Sequence, residues 1–525
     1  MGKSMSGKAR LFISGVMLVA LSAFSPSSSL AKDVQGKALV NDYCTACHAE
    51  TDDGGLARIS DVRKTPEGWD MTLFRMQNLH GLEIDSDERF AIIKYLSAEY
   101  GLSPSESEPF RYVLEQRAHF NDIAVNDDLD ALCGRCHTNA RYGLQRRTEK
   151  DWLKHMHFHV GQFPSLEYQA RSRDRFWWQE VTTETYKELA ELYPFKTDAW
   201  DTWKGADHKS PAGSWRVTGY RPGIGGYQGM MTVTRDGDFY KADYDLYDMT
   251  GGALSGDSKA VIYTGYEWRA SGMLNGAETR EVYALSEDGM RMTGRWHQAA
   301  HYDIGGEFQA VRMAGAEAQV LAKSSDYIRV GQEKEITLHG IGLTGKVSSD
   351  KGLGLNVTRQ DATSVTVKIT AGKNMSPGAY VVTVGQAVTE IIVYDKIDRL
   401  QVTPDWTIAR LGGGKTPPVT AQFEAVAYMT GKDGDIKIGV MSADWQLHAF
   451  DEEAEHMKDV EFAGTINAQG TFMPGAAGPN PSRKYATNNA GNLKIVAQVT
   501  DGDTIISGEA QLIVTVQRWN TPPIR

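Results

Sequence analysis

The feature that most limits what this chain can fold into is a pair of Cys-x-x-Cys-His motifs, Cys44-Thr45-Ala46-Cys47-His48 and Cys133-Gly134-Arg135-Cys136-His137. The sequence holds 4 cysteines, and these motifs use all of them, so none is left for a disulfide staple. Two cysteines separated by two residues and followed at once by histidine is the spacing of covalent c-type haem attachment. The thiols add to the porphyrin vinyl groups, and the same short helix carries the imidazole to the iron. The spacing predicts two haems c, bound through Cys44, Cys47, Cys133 and Cys136, with His48 and His137 as proximal iron ligands. A zinc half-site or redox dithiol is the competing reading of a bare Cys-x-x-Cys. It is disfavoured here because each pair carries its histidine and the sequence offers no second metal-type half-site.

The two motifs sit in two copies of one module. Arg63-Lys64-Thr65-Pro66-Glu67-Gly68-Trp69 matches Arg146-Arg147-Thr148-Glu149-Lys150-Asp151-Trp152, and Ala57-Arg58 matches Ala140-Arg141 at the same distance upstream of each Trp. Glu88, Phe90, Ile93 and Leu96 find counterparts in Glu184, Tyr186, Leu189 and Leu192, after an insertion containing Phe176-Trp177-Trp178. Each copy reads as attachment helix, loop, ligand helix and closing helix. Thr65 and Thr148 are good N-caps, which places each Trp on the first turns of a helix. Two turns on, the same face carries Met76 in one copy and His159 in the other. The register predicts His48 and Met76 on the first iron, and His137 and His159 on the second. His80 competes with Met76, while His155 and His157 compete with His159.

At 525 residues the chain exceeds one core. Helical periodicity holds up to about residue 200, and after it short alternating runs rich in Val, Thr, Tyr and Ile alternate with turns such as Asp236-Gly237, Asp288-Gly289, Asp433-Gly434 and Asp501-Gly502. The expected architecture is an all-α dihaem cytochrome c domain over residues 32–205 followed by three all-β domains. These are a small antiparallel barrel at 206–318 and immunoglobulin-like sandwiches at 319–397 and 398–525. Gly412-Gly413-Gly414-Lys415-Thr416 ends like a phosphate loop, but Ala409 replaces its first glycine and Pro417-Pro418 would break the helix that must follow. It reads as a turn.

The net charge of -11 argues against nucleic acid. The short basic run of Arg141, Arg146 and Arg147 is expected to face solvent or haem propionates. At the N-terminus Lys3, Lys8 and Arg10 precede the apolar stretch Leu11 to Phe24 and the small-residue site Ser29-Leu30-Ala31. That is the pattern of a secretory signal over residues 1–31, cleaved near Ala31, and the stretch is shorter than a membrane span needs. The expectation is an exported protein whose mature chain starts near Lys32, with no membrane span.

The haem modules, the Trp177-Trp178 insertion, the segment Ser214-Trp215-Arg216-Val217-Thr218-Gly219-Tyr220-Arg221-Pro222-Gly223 and the three β units together resemble the large (alpha) subunit of quinohemoprotein amine dehydrogenase. The resemblance implies a periplasmic heterotrimer that oxidises primary amines to aldehyde and ammonia. It places cysteine tryptophylquinone on a small partner subunit and adds a β-propeller subunit. The soluble electron acceptor would be a protein such as azurin or a cytochrome c. Building that quinone needs a cysteine, and here the haems consume all of them, so this chain is expected to carry electrons and to contain no catalytic residue. A stand-alone dihaem peroxidase-like enzyme, with one displaceable sixth ligand, and a plain dihaem carrier are the competing readings.

Overall fold

The computed structural model describes residues 29–162 and 174–516. Most of the expected signal segment, residues 1–28, lies outside them, as do residues 163–173 of the insertion and residues 517–525.

In the first haem module, helix α1 (Ser29–Cys44) delivers the first motif, α2 (Pro66–His80) follows the loop, and α3 (Ser86–Glu99) closes it. Gly36 lies where α1 crosses α3: a Cβ there would stand 2.5 Å from the Ala91 carbonyl oxygen, so only glycine permits this approach. The Thr65 hydroxyl accepts the Gly68 N–H to cap α2, with Pro66 at the first turn, and Gly81 at φ 71 ends the helix by donating its N–H to the Met76 carbonyl. The second module repeats the plan with α4 (Glu149–Gln162) and α5 (Tyr186–Leu192), and the Thr148 hydroxyl accepts the Asp151 N–H at 3.2 Å. Each module packs around its tryptophan. Trp69 gathers Leu73, Ile92, Ile93 and Leu96, and Trp152 gathers Met156, Trp177, Val181 and Leu189. Even the indole hydrogen bonds match, Trp69 donating to the Tyr100 carbonyl at 3.1 Å and Trp152 to the Tyr193 carbonyl at 3.3 Å.

The modules meet across a local pseudo-twofold. Strands β1 (Val62–Lys64) and β2 (Gln145–Arg147) pair antiparallel with Arg63 opposite Arg146, the equivalent positions of the repeat. Both guanidinium groups converge on one buried carboxylate: Arg63 donates two hydrogen bonds of 2.8 Å to Glu106, and Arg146 Nε donates a third at 3.1 Å. Farther along the seam Arg75 lies over the Phe158 ring, 5.3 Å from its centroid, and these positions are again equivalent, each six residues past its Trp.

The expected all-α haem domain is corrected here. A two-stranded sheet joins its modules, and its helices are broken by a 3₁₀ segment at Glu108–Val113 and π turns at Asp130–Gly134 and Val181–Thr185. The physical reason is that three-residue strands of charged residues show neither helical nor alternating periodicity. Arg146 and Arg147, expected at the surface or on propionates, are buried, Arg146 on Glu106 and Arg147 on Asp151.

Eight strands then form a closed antiparallel barrel in simple meander order, β3 (Gly213–Arg221) through β10 (Gly305–Arg312), with β10 pairing back onto β3. Its interior is filled by Trp215, Trp268, Tyr227, Tyr283, Met231 and Met292, and the buried Glu281 accepts from Trp268 Nε1 and Tyr244 OH, each at 2.8 Å. The barrel grips the haem domain through Tyr266, whose hydroxyl is 2.7 Å from Ser107 Oγ, and through the Trp203 indole, which donates to the Thr264 carbonyl at 2.8 Å.

Residues 319–394 build a sandwich of two four-stranded sheets around Ile336, Val365, Val367, Val382 and Ile391. The last unit holds sheets of three, four and three strands with a core containing Val402, Phe423, Phe472, Ile495 and Leu512. It is not purely β: Glu452–His456 and Asp459–Phe462 are helical turns, the first capped by the Asp451 carboxylate. The Gly412–Thr416 stretch makes a tight turn in which Gly413 and Thr416 exchange backbone hydrogen bonds.

Candidate haem centres

Both Cys-x-x-Cys-His motifs fold into the same single turn. His48 N donates to the Cys44 carbonyl at 2.8 Å and Cys47 N at 3.1 Å; His137 and Cys136 donate to the Cys133 carbonyl at 3.4 and 3.1 Å. This closes each histidine onto the side of its first cysteine, and none of the four cysteines is in a disulfide. His48 Nδ1 lies 2.8 Å from the Ala57 carbonyl oxygen and His137 Nδ1 lies 3.0 Å from that of Thr138. A carbonyl can only accept, so Nδ1 carries the proton and Nε2 keeps the lone pair that an iron needs. The donor set and its tautomers fit haem c at both motifs.

Four family models match in succession: "Quinohemoprotein amine dehydrogenase A, alpha subunit, haem binding" over residues 34–200, then domain II of that alpha subunit over 208–313, domain III over 317–395 and domain IV over 400–524. The chain belongs to the quinohemoprotein amine dehydrogenase alpha-subunit family. That family is a haem-binding subunit of an oxidoreductase. No curated protein matches the chain. Among solved structures, a de novo designed fluorescence-activating β-barrel is 15% identical, with 19% of this chain and 92% of that one covered and a TM-score of 0.17. The mouse clustered PcdhgC3 EC1-3 structure is 10% identical over 43% of this chain and 76% of that one, with a TM-score of 0.17. Domains 4–9 of the surface layer protein SbsC are 11% identical over 55% and 47%, with a TM-score of 0.16. These likenesses are too slight to bear on fold or function.

In this alpha subunit the expected sixth ligands lie as follows. Met76 is half-buried on α2, outside the packed cluster of Trp69 and Leu73, whereas His80 is exposed at the helix end. His159 sits on α4 with its Nδ1 2.8 Å from the His155 carbonyl oxygen, which gives it the tautomer seen at both proximal histidines. Burial lowers the His137 pKa first, and the charges of Arg141 and then His159 lower it further. His155 is half-buried, stacked on Phe158 and edge-on to Trp152, and burial followed by Arg147 and His159 holds its pKa well below the ordinary value. His157 points elsewhere. Its ring meets Trp178 edge-on, and it lines a cavity of about 500 Å³ with Arg58, Lys150 and Lys154.

One group of residues carried no signal in the sequence. Lys64, Arg75 and Arg147 gather where α2 faces α4, and burial, with Arg147 the next cause, pushes the Lys64 pKa well below the ordinary value. Charged residues in a polar run read as a solvated face, and only the pairing of β1 with β2 turns this one inward.

Proposed function

We propose that this alpha subunit is a dihaem electron-transfer chain, exported to the periplasm and cleaved near Ala31. In this reading it works in a heterotrimer with a β-propeller subunit and a small subunit bearing cysteine tryptophylquinone. When bound, the haems supply one-electron exchange at iron, the chemistry by which electrons from primary-amine oxidation on the quinone subunit would reach a soluble acceptor such as azurin or a cytochrome c. The observation that carries the reading is the repetition of the same Cys-to-His turn and the same tryptophan-anchored ligand helix in both modules, with each proximal Nδ1–H held by a carbonyl, that of Ala57 in one and of Thr138 in the other.

Within it, Cys44, Cys47, Cys133 and Cys136 form the thioethers, and His48 and His137 are the proximal ligands. Met76 and His159 close the sixth positions. The Ala57 and Thr138 carbonyls orient the proximal imidazoles, and the His155 carbonyl orients His159. Trp69 and Trp152 fix the two ligand helices against their cores. The β units serve as docking surfaces that hold the partner subunits against the haem domain.

Mass spectrometry of protein matured in a haem-ligating periplasm tests attachment. Two haem masses are expected, and one after Cys133→Ala with Cys136→Ala. Two titratable thiols in the mature chain would refute it.

A further inference from the structure

The seam between the two ligand helices holds more positive charge than the protein neutralises. Lys64 is 7% exposed; among the described residues its ammonium donates only to the Thr72 hydroxyl, at 2.9 Å, and lies over the Trp69 ring, 5.0 Å from its centroid. Arg75 donates to the same oxygen from NH2 at 3.2 Å, and its buried Nε has no hydrogen-bond partner. Neither side chain makes an ion pair among the described residues. Thr72 cannot answer the charge, because its own proton goes to the Gly68 carbonyl at 2.9 Å and its oxygen is neutral. From α4 and its preceding strand, Arg147 pairs with Asp151 Oδ2, while Oδ1 of that carboxylate accepts no hydrogen bond and has Arg58 3.9 Å away, so a single negative charge stands among Lys64, Arg75, Arg147 and Arg58. His155 adds no negative charge. The helix α2 also presents its positive N-terminal end beside Lys64.

A buried ammonium and a half-buried guanidinium whose Nε is enclosed, converging on one neutral hydroxyl, are costly unless an anion joins them. The neighbouring positions, Met76 after Arg75 and His159 after Phe158, are the sixth ligands proposed above, so the anion most closely available is part of a bound haem. We infer that Lys64 and Arg75, held together by Thr72, form a seat for a haem propionate carboxylate at the pseudo-twofold seam, where they neutralise it and set the charge around the irons. This rests on the haem reading of the two motifs. A guanidinium and an ammonium suit a carboxylate as paired donors. A free inorganic anion has the same chemistry and is the competing source.

The test uses the haem-loaded full chain with Arg75→Gln, Lys64→Gln and the conservative Arg75→Lys. Haem mass is measured first, so loss of haem, which would count against the reading of the motifs, is told apart from failure of the seat. Reduction potentials of both haems and the propionate bending bands in resonance Raman spectra are then read, with inorganic phosphate titrated into the unaltered protein. A seated propionate predicts that both Gln variants keep two haems but shift a propionate band and lower the potential of the same haem, because a cation that favoured the reduced iron is gone. Arg75→Lys restores the potential at least in part, and phosphate has no effect. Unmoved bands and potentials in both Gln variants would overturn the inference, and so would phosphate shifting the potential of the unaltered protein.

Discussion

At the scale of single residues the weightiest group is Glu106. Burial alone would raise its pKa, but hydrogen bonds and charge from Arg63, with Arg146 behind them, bring it down to about 2. A carboxyl whose folded pKa lies below its unfolded value stabilises the fold above the unfolded value, and the contribution disappears as pH falls through the folded one. Acid unfolding should therefore include loss of this bridge between about pH 4.5 and about pH 2. Glu106→Ala strands two buried guanidinium groups and should cost about 3 to 5 kcal/mol in chemical denaturation; a loss within about 0.5 kcal/mol, the scale of an ordinary surface change, would contradict the bridge. At the first iron, Met76→His should leave the haem six-coordinate with a lower potential, since imidazole donates more strongly than thioether. An unchanged spectrum and potential would mark Met76 as core and turn attention to His80.

At the scale of elements, α2 and α4 start from the same cap. Thr65→Ala and Thr148→Ala should each destabilise the haem domain by about 1 kcal/mol, measurable as a fall in denaturation midpoint; an effect in only one would mean that the caps are not equivalent in energy. These helices are legible in the sequence because the cap, the proline and the tryptophan register are local signals. The Cys-to-His turns are legible for the same reason, as five contiguous residues set them. By contrast β1 and β2 are three residues each, lie 83 positions apart in the Arg63–Arg146 pair, and consist largely of charged residues, so nothing local announces them. The burial of Arg63, Lys64, Arg146 and Arg147 follows from that pairing and is equally hidden. The π turn at Asp130–Gly134 and the helical turns after Asp451 are too short for periodicity to register.

At the scale of the whole molecule, aromatic strands and frequent turn dipeptides point to β units, while closure of the barrel depends on β10 meeting β3 and is settled by long-range pairing. The barrel and haem domain are joined by buried bonds from Tyr266 and Trp203, and by Arg269 from the barrel, which pairs with Glu67 on α2. Partner chains docked on the β units would thus meet a haem domain held in a fixed place. The central claim is that this subunit conducts electrons and leaves amine chemistry to another chain. The most direct measurement adds a primary amine to the isolated, haem-loaded chain and to the intact complex while the reduced haem absorption bands are followed. Reduction in the complex alone is the predicted result, and reduction in the isolated chain would contradict the account.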